Sequence, residues 1–270
     1  MMRDITLGQY YPVPSVLHKL DPRTKLFATL ILIIALFTAD NPVCYVLAAV
    51  FLFLVIALSK VPLGHILKGL KPVIFLLLFS AVFNLFLTSG EVLVQLWIFK
   101  ITKEGIYRAV LMAVRLIFLV MGTSLLTFTT TPNQLTDGLE KSLHFLSYVR
   151  VPVHEIAMMM SIALRFIPIL VEETDKIMKA QMARGADFET GGLIKKAKAM
   201  IPLLVPLFIS AFRRASDLAM AMEARCYHGG EGRTKMKPLH YEKRDRLSYL
   251  ILFVFLAAMI VLRILLGISP

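Results

Sequence analysis

Long apolar runs alternate with short polar connections along this chain of 270 residues. Five runs approach the length of about 20 helical residues that crosses a bilayer core of about 30 Å. One such run could be the core helix of a soluble protein, but five in one chain favour lipid as their solvent. The sequence therefore predicts an all-α integral membrane protein with about five transmembrane helices. The predicted spans are Leu26–Ala39, Val43–Ser59, Val73–Thr88, Ile106–Thr127 and Leu247–Ile268.

Basic residues are distributed unevenly between alternate connections. The chain is 57% hydrophobic yet carries a formal net charge of +12. The N-terminal stretch, the loop after the second span and the region Thr129–Arg246 hold 25 Lys and Arg, whereas the other connections hold two. Because basic loops stay in the cytoplasm, we expect a cytoplasmic N-terminus and an external C-terminus. Cys44 and Cys226 then lie on opposite sides of the membrane, which excludes a disulfide between them.

Two segments of the basic region are apolar without being clear spans. Thr131–Leu146 places its leucines on one stripe, which predicts an amphipathic helix at a surface. Val153–Val171 is long enough for a sixth span, but it contains Arg165 and Pro168. A central arginine costs at least about 2.5 kcal/mol on insertion scales. We expect this segment to be half-immersed at the cytoplasmic face, with a full span as the alternative.

Three polar residues that precede a proline predict helix starts. Asp21, Asn41 and Thr131 are suitable N-cap residues, and proline is tolerated at the first helical position because no backbone N–H is needed there.

A weak internal repeat with an offset of 41 residues relates the segments that end at Arg184 and Arg225. In the second copy apolar residues recur at steps of four and three, which predicts a helix. The first copy has the same pattern with two polar replacements. Two long helices, about Pro152–Arg184 and Leu193–Arg225, are therefore expected to face each other or a common partner. The stripe of the second copy consists of Leu204, Phe208, Ala211, Ala215, Leu218 and Met222.

Each copy of the repeat ends in Ala-Arg, as Ala183-Arg184-Gly185 and as Ala224-Arg225-Cys226. Glycine tolerates the left-handed conformation that ends a helix. A side chain disfavours that conformation, so we expect the second helix to end less tightly. One such arginine is an ordinary capping cation. Two equivalent ones favour docking into paired grooves of a two-fold partner, where a small alanine lets the tip enter and arginine engages a carboxylate.

Motifs for catalysis, nucleotides or metals do not accompany these helices. The P-loop, G-x-S-x-G, H-E-x-x-H and C-x-x-C patterns are absent from the sequence. His154-Glu155 is an isolated pair that favours a polar contact over a metal site. The basic surplus follows the membrane topology, which favours anionic lipid over nucleic acid. Arg108, Arg115 and Arg263 lie within spans without a carboxylate at the same depth, which disfavours a proton-coupled carrier.

Five motifs, in order along nearly the whole chain, resemble the transmembrane T component of energy-coupling factor transporters. They are SVLHKLDPRTKL (15–26), TTTPNQL (129–135), LRFIP (164–168), QMARGADF (181–188) and EARCY (223–227). The resemblance implies a multi-pass protein of a prokaryotic cell membrane. Such a protein joins two cytoplasmic ABC-type ATPase subunits to a membrane S component that binds the substrate. The two Ala-Arg motifs are then the ATPase-docking sites.

The resemblance implies a division of the chain into three parts. Residues 1–128 are N-terminal transmembrane helices, residues 129–246 are coupling helices and a basic linker at the cytoplasmic face, and residues 247–270 are the last transmembrane helix. The expected function is a coupling scaffold that transmits ATP-driven motion for the uptake of vitamins or other micronutrients. No catalysis, cofactor, metal site or nucleic-acid partner is expected of this chain.

Two other functions remain open from the residues alone. A stand-alone secondary transporter or channel, with a regulatory cytoplasmic helical region, would be favoured by inverted repeats of spans or by buried carboxylates. An integral membrane enzyme acting on lipids would need a polar catalytic cluster, for which His144, His154 and Glu155 are the available material.

Overall fold

Helices form nearly all of the regular structure in this computed structural model, which describes residues 10–87, 92–96, 99–188, 192–230, 236 and 238–267. The predicted all-α fold is confirmed. Part of the predicted basic linker, within residues 231–237, lies outside the described residues. The described residues fall into two compact units, one within residues 139–238 and the other within 8–138 and 239–270. In chain order the helices are α1 (Pro22–Thr38), α2 (Pro42–Ser59), α3 (Leu63–Lys68), α4 (Ile74–Leu87), α5 (Lys103–Thr129), α6 (Pro132–Ser142), α7 (Val153–Ala183), α8 (Leu193–Ala224) and α9 (Lys243–Gly267).

Among the described residues, five helical segments are long and apolar enough to cross a membrane. They are α2, α5, α7, α9 and Leu63–Phe86, in which a 3₁₀ turn joins α3 to α4. The predicted number of spans is confirmed, but α7 takes the place of α1, which was predicted to span. With 17 residues, α1 is about 26 Å long, slightly less than a bilayer core. Helix α7 qualifies by length and composition, and its half-immersed position stays a prediction.

A short β-hairpin between α4 and α5 was not predicted from the sequence. Strand β1 (Val92–Leu96) pairs antiparallel with β2 (Phe99–Thr102), and Leu96 lies opposite Phe99. Apolar runs this short do not distinguish a strand from the end of a helix. The Thr102 side chain then accepts a hydrogen bond of 3.1 Å from the Gly105 N–H, so the hairpin leads directly into the cap of α5.

All three predicted helix starts are confirmed, because α1, α2 and α6 begin at the prolines that follow Asp21, Asn41 and Thr131. Thr131 and Gln134 form a reciprocal capping box, each side chain accepting the other's backbone N–H at 3.3 and 3.2 Å. Asn41 occupies the cap position without a side-chain cap bond.

The core of the larger unit lies where α1, α2, α5 and α9 meet. Phe51 stacks on Phe255 with ring centroids 4.1 Å apart. A Cβ at Gly122 would collide with the Leu32 side chain, so glycine permits the close approach of α5 to α1. Many large apolar side chains point outward instead, such as Phe75 at 78% exposure. An apolar exterior of this extent is expected for helices that contact lipid.

Asp40, in the turn between α1 and α2, pairs with two arginines of the predicted spans. Its carboxylate lies 3.0 Å from Arg263 and 4.0 Å from Arg115. Arg115 also donates to the Tyr45 hydroxyl at 2.9 Å and to the Ala39 carbonyl oxygen at 2.7 Å. The prediction that these arginines lack a carboxylate partner is therefore wrong. The sequence shows which residues share a depth within one helix. It does not show that Asp40, in a turn, reaches arginines on α5 and α9.

The first turns of α1 and α9 are joined by a buried carboxylate. Asp245 is 1% exposed and accepts the backbone N–H groups of Asp21 and Glu242, both at 2.9 Å. Asp21 in turn accepts the Arg23 backbone N–H at 2.9 Å and caps α1. The Arg23 guanidinium lies over the Tyr241 ring, 3.9 Å from its centroid. One carboxylate thus accepts one backbone N–H at each of two helix starts.

We predict that Asp245→Ala lowers the free energy of unfolding by about 2 to 4 kcal/mol, because the buried N–H of Asp21 and the part-buried N–H of Glu242 lose a charged acceptor. The melting temperature of the detergent-solubilised protein measures the loss. Glu242→Ala is the control, since toward the described part of the chain that side chain makes only an exposed ion pair of 3.4 Å, with Arg244. Equal melting temperatures for the two variants would contradict the structural role of Asp245.

Candidate docking site at the ends of the long helices

The two long helices begin and end within one residue of their predicted bounds, and they contact each other. Arg214 of α8 donates to Glu173 of α7 at 3.1 Å. Nearer the end of α7, the Gln181 side-chain amide donates to the Pro202 carbonyl oxygen at 3.4 Å. From the first contact to the second, residue numbers rise along α7, from 173 to 181, and fall along α8, from 214 to 202. The helices run in opposite senses where they touch, so their C-terminal ends point away from each other.

The ion pair joins positions that the internal repeat makes equivalent. Glu173 and Arg214 are 41 residues apart, which is the offset of the repeat. Ala183 lies ten residues after Glu173, and Ala224 lies ten residues after Arg214. Each helix thus extends about 15 Å from the pair to its own Ala-Arg end. Contact between equivalent positions is the arrangement expected near a local two-fold axis.

A second contact limits how close the two ends can be. A Cβ at Gly230, just beyond α8, would collide with the His154 ring near the start of α7. His154 is about 43 Å from Ala183 along the helix, and the chain from Cys226 to Gly230 spans at most about 14 Å. The two Ala-Arg ends are therefore at least about 25 Å apart.

His154 pairs with a carboxylate other than its sequence neighbour. Its Nδ1 lies 2.9 Å from Glu140 Oε1, at the end of α6. The sequence had singled out His154-Glu155 as a polar pair, and the structure replaces Glu155 with Glu140. No group of three or more His, Cys, Asp or Glu side chains that could hold a metal occurs within the described residues.

The face of α8 that is shielded differs from the predicted stripe. Ala211, Leu218 and Met222 are partly buried as expected, whereas Leu204 and Phe208 are exposed, at 42% and 61%. Ala215 is exposed as well. The periodicity identified the helix correctly but not the side that faces α7, because α8 is apolar on more than one side. The partly or fully buried positions include Leu203, Leu207, Ser210 and Arg214.

The first Ala-Arg motif forms a tight helix end. Gly185 follows Arg184 with φ +89°. The Gly185 N–H donates to the Met182 carbonyl oxygen and the Ala186 N–H to that of Gln181, both at 3.0 Å. These two bonds define a Schellman motif. The last turn is closed by the backbone, so the arginine side chain is not needed as a cap.

The second motif closes in the same way, although cysteine replaces glycine. Cys226 adopts φ +54°, its N–H donates to the Glu223 carbonyl oxygen at 2.8 Å, and the Tyr227 N–H donates to that of Met222 at 3.0 Å. The prediction of a looser second end is wrong. The left-handed conformation costs a residue with a side chain about 1 to 2 kcal/mol, and the two backbone bonds help to offset this cost.

All six motif residues are exposed. The guanidinium groups of Arg184 and Arg225 make no hydrogen bond or ion pair with any residue that the structure describes. Both ends therefore present a small alanine and an unpaired planar cation on a closed helix tip. Such a cation can engage a partner carboxylate through two parallel hydrogen bonds. The sequence predicted these six residues as a docking site, and their role stays a prediction. It did not reveal the Glu173–Arg214 pair, whose 41-residue separation was the available signal.

Comparison with known proteins matches most of this chain. A family model described as cobalt transport protein, CbiQ, matches residues 14–236, which include both long helices and both Ala-Arg ends. The chain is 54% identical to the energy-coupling factor transporter transmembrane protein EcfT of Clostridium kluyveri, over 98% of each chain. It is 53% identical to EcfT of Thermosediminibacter oceani, over 92% of this chain and 94% of that one. It is 46% identical to EcfT of Bacillus subtilis, over 96% and 98%.

The resemblance drawn from the five motifs is thus confirmed over nearly the full length. The apolar helices and the relatives that match over nearly the full length both indicate a multi-pass membrane protein. This chain belongs to the CbiQ/EcfT family, the transmembrane proteins of energy-coupling factor transporters.

Proposed function

We propose that this chain is the coupling scaffold of an energy-coupling factor importer in the cell membrane. Two cytoplasmic ABC-type ATPase subunits dock on the ends of α7 and α8, and their ATP-driven movement is passed to a membrane S component that binds the substrate. The cargo is a vitamin or another micronutrient. The observation that carries this proposal is the pair of equivalent, exposed Ala-Arg ends on two helices that contact each other at repeat-equivalent positions.

Two equivalent ends suit two equivalent ATPase subunits. Both ends are closed by the same pair of backbone hydrogen bonds, and each leaves its guanidinium unpaired toward the described residues. They point in opposite directions and are at least about 25 Å apart. A single groove cannot hold both, whereas a two-fold pair of ATPase subunits offers one groove to each.

The contact between the helices supplies the means of transmission. From the Glu173–Arg214 pair to its own Ala-Arg end, each helix runs for about 15 Å without a proline, and this part moves as a stiff rod over short displacements. When closure of the ATPases moves one end, the Glu173–Arg214 contact passes the movement to the other helix. Val205, Phe208 and Phe212 form an exposed apolar side of α8, at 55%, 61% and 70% exposure. This side suits the hydrophobic surface of an S component.

The stand-alone transporter is the weaker alternative. Asp40, the carboxylate that pairs with Arg115 and Arg263, is on a turn, and its side chain is 55% exposed. It joins helices rather than lining a pathway through their centre. The internal repeat relates two charged helices and not two sets of spans, which an inverted-repeat transporter would require.

Charge reversal at both ends tests the docking proposal. We predict that the double variant Arg184→Glu, Arg225→Glu inserts normally but binds the ATPases at least about 100-fold more weakly, because central interface arginines contribute about 2 kcal/mol or more each. Co-purification of tagged variant and ATPases from membranes measures binding. Each single variant should retain one docked ATPase.

Arg213→Glu provides the matched control for this experiment. It makes the same charge change at an exposed position of α8, eleven residues before Ala224. We expect it to keep normal ATPase binding and uptake. If the double variant co-purifies with the ATPases as well as this control does, the docking assignment is wrong.

The geometry of the helix ends gives a separate prediction. Gly185→Ala should raise amide hydrogen exchange at residues 184–186 about fivefold, because alanine at φ +89° costs about 1 kcal/mol or more. Cys226→Gly should lower exchange at the second end by a similar factor. Mass-spectrometric exchange of the purified protein measures both. Gly192→Ala is the control, since Gly192 has φ −70° and open space around it. A response of Gly192→Ala equal to that of Gly185→Ala would contradict the left-handed end.

A further inference from the structure

An apolar cavity of about 340 Å³ lies among α1, α2, α5 and α9. It is larger than the apolar cavities of about 150 Å³ that hold a benzene molecule. Several of its lining residues are also exposed, among them Leu58 at 54% and Leu247 at 59%, so the cavity opens at the protein surface. The apolar lining includes Leu32, Leu52, Val55, Leu125, Ile251 and Leu252.

A buried cation lines this apolar cavity. Lys25 is 6% exposed, and its ammonium donates to the carbonyl oxygens of Thr129 at 2.7 Å and His18 at 3.3 Å. Among the described residues, no carboxylate lies within 4 Å of it. An ammonium has three donors, and both of these acceptors are neutral. The carboxylates of Asp21 and Asp245 act on the charge from beyond 4 Å, so no counterion that the structure describes is in contact with it. Buried cations are ordinarily paired with an anion, because desolvating an unpaired charge is costly.

A second cation lies at the same end of the cavity. Arg244 lines the cavity next to Asp245, and Lys25 is one helical turn beyond Asp21. The hydrogen bond from the Asp21 N–H to Asp245 brings these two helix starts together. Arg244 pairs only with Glu242 among the described residues, at 3.4 Å, and both side chains are more than half exposed. Such an exposed pair is weak, so the guanidinium is available to a stronger anion.

We propose that this cavity binds an anionic phospholipid. One acyl chain fills the apolar space, and the phosphate accepts hydrogen bonds from Lys25 and Arg244 at the cavity mouth. The charge complementarity selects the headgroup, because a zwitterionic lipid would bring its own cation toward the same site. Basic pockets between membrane helices are suited to anionic headgroups. The proposal does not depend on ATPase docking, since all of these residues lie in the unit formed by residues 8–138 and 239–270.

Competition between two lipids tests this site. The full-length protein in detergent is mixed with equal amounts of dioleoylphosphatidylglycerol and dioleoylphosphatidylcholine, and native mass spectrometry counts the lipid that stays bound. We expect one phosphatidylglycerol per protein to be retained in preference. Equal retention of the two lipids by the wild-type protein would overturn the proposal.

Two neighbouring arginines provide the matched variants. Arg244→Gln should lower the preference for phosphatidylglycerol about fivefold, as expected for one cation near the headgroup. Arg246→Gln removes the same charge from the same turn, but Arg246 does not line the cavity, so the preference should be unchanged. Equal losses in the two variants would show that a diffuse basic surface, and not this cavity, selects the lipid.

Filling the cavity tests the acyl-chain site separately. Ala28 and Ser248 both line it, and Ala28→Phe or Ser248→Phe should abolish retention of phosphatidylglycerol. Lipid retention is compared for the variant whose melting temperature stays within a few degrees of wild type, because that variant is folded. Wild-type retention by that variant would contradict an acyl chain in this cavity.

Discussion

The contact between α7 and α8 is the constraint on which the docking account depends. It joins Glu173 to Arg214, which are equivalent positions of the internal repeat, and it holds the two helices in opposite senses. The directions and separation of the two Ala-Arg ends follow from it. If the helices ran side by side in the same sense, both arginines would point at one partner groove. The opposite senses instead give a single chain two separated and similar ends, which is the geometry that the proposed docking on a two-fold pair of ATPases requires.

The helix ends show how backbone geometry is retained when the sequence varies. Gly185 accepts a positive φ at little cost, whereas Cys226 adopts it against its own preference. A strained residue persists only where its surroundings determine its conformation, and here two backbone hydrogen bonds do so. The closed turn carries out the capping of the helix. The arginine side chain is therefore not needed for capping, and the second motif keeps an exposed arginine although it lacks glycine.

The sequence predicted the parts of the fold that depend on local rules. Proline after Asp21, Asn41 and Thr131 marked three helix starts, and the repeat located α7 and α8 within one residue. Features set by contacts across the fold were missed. The Asp40 pairs with Arg115 and Arg263 join a turn to two distant helices, and the shielded face of α8 could not be read from a helix with several apolar sides. The β-hairpin was too short for its periodicity to identify it.

A thiol reagent tests directly whether the Ala-Arg ends lie in the cytoplasm and contact the ATPases, as we propose. Cys226 is exposed at the second end and Cys44 is buried, so a membrane-impermeant maleimide reports on that end in the native chain. We predict no labelling of Cys226 in intact cells and labelling in inside-out vesicles stripped of peripheral proteins. Adding back the ATPases should then protect it. Labelling in intact cells, or labelling that the ATPases leave unchanged, would contradict the account.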